Sequence, residues 1–246
     1  MAEHAEHTER NRQYFDKLAK SYTNDFKSVL EFICRLVDGH RPWISDAWVD
    51  TEAGKGKEIK MLEYACGTGP VSLTLAPFVS KIVGLDVSNN MISEYNKNAE
   101  EAGYGDKMVA LKGDLLAETA PAELSGPEYF DFDLVVVSMA LHHFERPELA
   151  MARFSERLKK GGVCVIVDIV PDDHHHGHCH KVEHGFGDAE HTVKSHGFTT
   201  EQIQQLYGGA GLGMGFKYDI SKEQVVFRKD GKEHLKTIFI ARGQRA

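Results

Sequence analysis

The stretch from Ile59 to Pro70 restricts the fold more than any other part of the chain. Ile59–Ala65 is an apolar run of strand length, carrying only Lys60 and Glu63 as charges. It runs into Cys66-Gly67-Thr68-Gly69, and Pro70 opens the next segment. Glycines at 67 and 69 let the backbone turn sharply and keep side chains out of a ligand's space. Proline in the first helical turn gives up no hydrogen bond. Further strand-length runs follow at Lys81–Val87, Met108–Lys112, Phe132–Met139 and Val163–Ile169. Helical segments near Val71–Phe78, Asn90–Ala102 and Pro147–Leu158 separate them. That alternation predicts a parallel sheet covered on both faces.

The flanks differ from this middle. Phe15, Leu18, Tyr22, Phe26, Val29, Ile33 and Leu36 recur in steps of three and four, predicting one long amphipathic helix broken at most once. Trp43, Ile44, Ala47 and Trp48 suggest a short second helix, and Glu52–Glu58 reads as a solvated connector. Thr199-Thr200-Glu201-Gln202 fits a capping box ahead of Ile203 and Leu206. Gln224–Arg228 and Leu235–Ala241, on either side of Lys229-Asp230-Gly231-Lys232, predict a terminal hairpin.

Open parallel sheets bind ligands at the carboxyl ends of their strands, where the strand order reverses. Glu63, Asp86, Asp114 and the Leu141-His142-His143 segment all fall at such ends. Asp86 lies about twenty residues past the glycines, where nucleotide-binding folds keep a carboxylate for ribose hydroxyls. The formal charge of -8 argues against a surface built for nucleic acid. Four cysteines without paired spacing point to a reducing, cytoplasmic setting. No apolar run has membrane-spanning length, and the polar N-terminus lacks the apolar core of a signal peptide.

Glu63-Tyr64-Ala65-Cys66-Gly67-Thr68-Gly69 resembles the first motif of class I S-adenosylmethionine-dependent methyltransferases, and the ordered series after it strengthens the likeness. The resemblance implies a doubly wound, mostly parallel seven-stranded, Rossmann-like α/β sheet with an N-terminal helical cap and a C-terminal antiparallel hairpin. A single methyltransferase domain over 1–246 is expected, with a cap at 1–58, a cofactor core at 59–170, a histidine-rich loop at 171–198 and a last helix and hairpin at 199–246.

The same resemblance implies S-adenosylmethionine as cofactor, held by Glu63, Tyr64, Ala65, Gly67 and Gly69 at the first turn. Asp86 would take the ribose, Val87 and Met91 would flank the adenine, and Gly113, Asp114 and Leu115 would meet its edge. Ser138 and Met139 would complete the pocket, with Tyr22 as a lid contact. The Leu-His-His segment is similar to that of members acting on small molecules, and the motif of base-amine methyltransferases is absent. A small-molecule acceptor is therefore expected, with Tyr14, His143 and His196 near it. His142 or His143 either takes a proton from the acceptor or simply bonds loop backbone; the residues leave both open.

Asp172-Asp173-His174-His175-His176-Gly177-His178-Cys179-His180 fits no established zinc spacing. With His184, His191 and His196 it is expected to form an active-site rim, not a metal centre. The residues also admit two other readings. A nicotinamide-dependent dehydrogenase would want a third glycine where Ser72 stands. A non-catalytic metal-binding or regulatory partner would act through the histidines instead.

Overall fold

The computed structural model describes residues 2–117, 121–172, 191–229 and 232–246. Seven strands form one sheet in the order β3-β2-β1-β4-β5-β7-β6. β1 (Lys60–Tyr64), β2 (Lys81–Asp86), β3 (Met108–Lys112), β4 (Phe132–Ser138) and β5 (Leu158–Ile169) are parallel neighbours. β6 (Met214–Lys229) and β7 (Lys232–Gln244) form the terminal hairpin, and β7 pairs antiparallel with β5. Strand order reverses between β1 and β4, which places a crevice above their carboxyl ends.

Side chains alternate across the strands, so each face buries its own core. Met61, Ile82, Leu134, Val136, Val165 and Ile240 face one way. There they pack against α2 (Lys27–Gly39), α4 (Pro70–Leu75) and α5 (Asn89–Glu101). Leu62, Val83, Val135, Val137, Cys164 and Phe239 face the other, under α6 (Pro147–Arg157) and α7 (Thr200–Gly209). Thr199 and Gln202 cap α7 reciprocally, as their spacing predicts. Among the described residues, no helix is long and apolar enough to cross a membrane.

The expected N-terminal helix is two, α1 (Ala2–Asp25) and α2, parting at Phe26. The predicted second short helix shrinks to α3 (Arg41–Ile44), because the buried Trp48 indole N–H donates to the Arg41 and Ser45 carbonyls instead of following a helix. β5 starts at Leu158, five residues before the predicted strand, and β6 starts ten residues before its own. Asp230 and Gly231 of the predicted turn lie outside the described residues.

Candidate active site

β1 ends at Tyr64, and the backbone then bends through Ala65 and Gly67, both at positive φ (54° and 53°). Alanine in that region stores on the order of 1 kcal/mol of strain, a cost that clusters at functional sites. Met139, just past β4, is strained in the same way at φ 52°. The two glycines do different work. A Cβ on Gly67 would meet nothing within 4 Å, so its missing side chain keeps space open above the turn. A Cβ on Gly69 would lie 2.6 Å from the Tyr95 ring, so this glycine lets α4 pack tightly.

Asp86 closes the turn from the tip of β2. One carboxylate oxygen accepts the Gly67 N–H at 2.9 Å, and the other accepts the Ser88 N–H at 2.8 Å. Burial raises its pKa, and those two backbone donors oppose the rise. Asp114, past β3, accepts the Leu116 N–H at 2.8 Å and the Tyr64 hydroxyl at 3.2 Å.

The crevice above these tips is a cavity of about 320 Å³. Its floor holds Tyr64, Ala65, Gly67, Asp86, Val87, Gly113, Asp114 and Ser138. Met91 and Met139 form its walls, with His142 and His143 at one end. All were predicted from sequence, as were Tyr14 and Tyr22 of the roof.

Four predicted site residues stand elsewhere. Glu63 points toward α4, where it accepts the Ser72 N–H at 3.1 Å and the Ser72 hydroxyl. It is only 3% exposed, and burial pushes its carboxyl up to about 8. Gly69 serves the packing just described. Leu115 is wholly buried in the core, and Leu116 reaches the cavity in its place. His196 is exposed on a segment whose Lys194 and Ser195 N–H groups donate to the His142 carbonyl, at 2.9 and 3.1 Å. That anchoring brings the segment to the histidine turn but leaves the His196 ring out of the cavity lining. Residues 173–180 and His184 lie outside the described residues.

α1 forms the roof. His7, Asn11, Phe15 and Leu18 line the cavity beside Tyr14 and Tyr22. The helix is fastened at both ends of the crevice. Asp16 accepts the Ser88 hydroxyl at 2.7 Å and the Asn90 N–H at 3.1 Å, at the start of α5. The His7 Nε2–H donates to the His143 carbonyl at 2.7 Å. Tyr22 is half-buried; desolvation of its hydroxyl, then the neighbouring Asp86, push that group up to about 12. Phe26 between α1 and α2, Val29 and Leu30 of α2, and Phe227 of β6 make the far wall strongly apolar.

At the histidine end, the His143 Nδ1–H donates to the Thr192 carbonyl at 3.0 Å. Burial, then the neighbouring His142, drive its pKa well below the usual value, so this ring is neutral at pH 7. The His142 Nδ1 lies 2.7 Å from a carboxylate oxygen of Asp168, a wholly buried residue near the end of β5. Sequence reasoning missed Asp168, although an acid inside the apolar run of β5 signals a buried partner. It also missed His7, Asn11, Leu116 and Phe227, for which sequence spacing carries no signal.

Residues 39–214 match the family described as a methyltransferase domain. The chain belongs to the class I S-adenosylmethionine-dependent methyltransferases. The chain is 32% identical over 160 residues to an uncharacterized methyltransferase of Schizosaccharomyces pombe, covering 64% of the chain and 55% of that relative. It is 29% identical over 163 residues to a demethylmenaquinone methyltransferase of Leptospira interrogans, covering 64% and 59%. The chain thus spans little more than half the length of these curated relatives.

Among solved structures, the magnesium protoporphyrin IX methyltransferase of Synechocystis, with bound S-adenosylmethionine, superposes at a TM-score of 0.61. Identity is 15%, with 98% of this chain and 97% of that chain covered. A possible histamine N-methyltransferase of Thermotoga maritima gives the same TM-score of 0.61 at 19% identity, covering 96% and 99%. At such identities the likeness is one of fold.

Proposed function

We propose that this methyltransferase transfers a methyl group from S-adenosylmethionine to an apolar small molecule. One observation carries the reading. A single roofed cavity joins the acidic tips Asp86 and Asp114, across the open space at Gly67, to a pair of histidines beside an apolar wall.

The residues fit the cofactor. Asp86 accepts two backbone N–H groups, and an ionised carboxylate has about four acceptor sites, so it can still take ribose hydroxyls. Asp114 with Leu116 would meet the adenine edge, and Val87 and Met91 would flank the ring. Glu63 and Gly69 act one step back, by holding the α4 end of the turn in shape. When bound, the cofactor supplies a methyl group on a sulfonium leaving group, whose in-line displacement depends mostly on alignment. The roof helix excludes water, and the neutral His143 adds no positive charge beside a cation. A histidine of the Leu141–His143 turn would accept the proton that the acceptor gives up.

The apolar wall of Phe15, Leu18, Phe26, Val29, Leu30 and Phe227 argues for an acceptor with a hydrophobic body. The demethylmenaquinone methyltransferase among the relatives agrees with that chemistry. A dinucleotide would need a glycine at 72, and Ser72 there is bound through its N–H and hydroxyl to Glu63. Calorimetry with S-adenosylhomocysteine and with NAD tests the proposal. Binding of the first alone is expected; binding of NAD alone would reverse it.

A further inference from the structure

The two cavity histidines are not equivalent, and what stands behind each ring separates them. His143 is backed by a peptide carbonyl, at 3.0 Å from its Nδ1. His142 is backed by the Asp168 carboxylate, 2.7 Å from its Nδ1, with both side chains almost wholly buried at 4% and 0% exposure. Asp168 also accepts the His142 backbone N–H at 3.1 Å and the Ile169 N–H at 2.7 Å. Those bonds tie the Leu141–His143 turn to the end of β5.

The geometry points to Asp168 as a positioning residue that fixes His142 with its proton on Nδ1 and leaves Nε2 as the cavity's proton acceptor. An ionised carboxylate can only accept, so the nitrogen facing it must carry hydrogen. The other nitrogen then holds the ring's basic lone pair. This rests on the methyl-transfer reading above and assigns its proton step to one of two histidines. As the acceptor's O–H, N–H or S–H bond breaks, its proton passes to the His142 Nε2. The freed electron pair bonds to the methyl carbon, and the carbon–sulfur bond breaks with its electrons kept on sulfur. The imidazolium so formed lies against a buried carboxylate, where its charge is compensated. A carbonyl gives His143 no such support. Among the described residues, His143, His7, Lys194 and Glu145 are titratable groups around this turn.

The test is a long-range ¹H–¹⁵N spectrum of the full chain at pH 7 with saturating S-adenosylhomocysteine. A His142→Gln spectrum identifies the ring among the 14 histidines. The expected result is one protonated nitrogen on His142, Nδ1, with Nε2 unprotonated. In Asp168→Asn the Nδ1–H should exchange with solvent about tenfold faster, because a charge-assisted bond is replaced by a neutral one. A proton on Nε2, or on both nitrogens, overturns the assignment, as does an exchange rate that Asp168→Asn leaves unchanged. Should that variant not fold, the wild-type spectrum decides alone. Absence of S-adenosylhomocysteine binding in the wild type would instead overturn the functional reading beneath it.

Discussion

Replacing Glu63 with glutamine should remove a pH dependence from the stability of the ligand-free protein. Glu63 is 3% exposed and bonded to Ser72, and burial raises its pKa from 4.5 to about 8. Between those values the folded chain keeps this proton and the unfolded chain has lost it. The unfolded state then binds fewer protons, so stability falls as pH rises. The contribution is whole below pH 4.5, declines through the window, and is gone above about 8. At 1.36 kcal/mol per pH unit, the interval from 4.5 to about 8 sets a ceiling of about 4–5 kcal/mol.

Glutamine has nearly the same shape, stays neutral, and its carbonyl oxygen can accept both Ser72 donors. Glu63→Gln should therefore match the wild type within about 1 kcal/mol at pH 5, one hydrogen bond's worth. At pH 8.5 it should be the more stable protein by up to about 4 kcal/mol. For a chain of this size that gap corresponds to about 8–16 °C in Tm. Urea denaturation at pH 5, 6.5 and 8.5 without cofactor reads the difference directly. A gap that stays constant across the three pH values would show that Glu63 is ionised in the folded protein, and the argument from burial would fail.

Gly67→Ala should lower S-adenosylhomocysteine affinity at least tenfold while costing about 1–2 kcal/mol of stability, the penalty of alanine at φ 53°. Gly69→Ala should do the reverse, costing about 2–5 kcal/mol because its Cβ would meet the Tyr95 ring at 2.6 Å; equal effects of the two variants on stability would refute the division of labour. Asp86→Ala should weaken the same ligand by about 1.5–3 kcal/mol on calorimetry, the range for a hydrogen bond to a charged group. Unchanged affinity would place the ribose elsewhere. Asp16→Ala unfastens α1 from the start of α5; losing a capping acceptor worth about 1 kcal/mol should speed amide hydrogen exchange along α1 about fivefold. Undiminished protection would mean that the roof is held by packing alone.

The central strands were legible because each is an apolar run ending in a turn signal, and their side chains need partners on both faces. The early start of β5 was not. Lys159-Lys160-Gly161-Gly162 reads as a loop, yet the Gly161 N–H donates to the Arg245 carbonyl, and Val163 pairs with Gln244. Extended structure there is imposed by the far end of the chain. The added length of β6 has the same origin, since its polar stretch Lys217–Asp219 pairs residue by residue with Ile240–Arg242 of β7. The break at Phe26 is likewise invisible to periodicity, which carries through it unchanged.

Most of the expected residues that line the cavity do so because their own strand tip aims them at the crevice. The placement of Glu63 away from the cavity follows from parity, which the sequence does contain. Met61 faces the α4 side of the sheet while Leu62 and Tyr64 face the other, so position 63 must share the α4 side. A carboxylate placed there meets the N-terminal turn of α4 and caps it instead of reaching over the strand end. The same alternation applied to β5 puts Val163, Val165, Val167 and Ile169 on one face, and Cys164 and Ile166 on the other. Asp168 falls in step with Cys164 and Ile166, on the α6–α7 side, where its strand neighbours on that face are buried and apolar. A lone acid on such a face must find a donor, and β4, the neighbouring parallel strand, leads directly into Leu141-His142-His143. Parity and strand order together therefore bring a carboxylate to the back of one histidine and leave the next with a carbonyl.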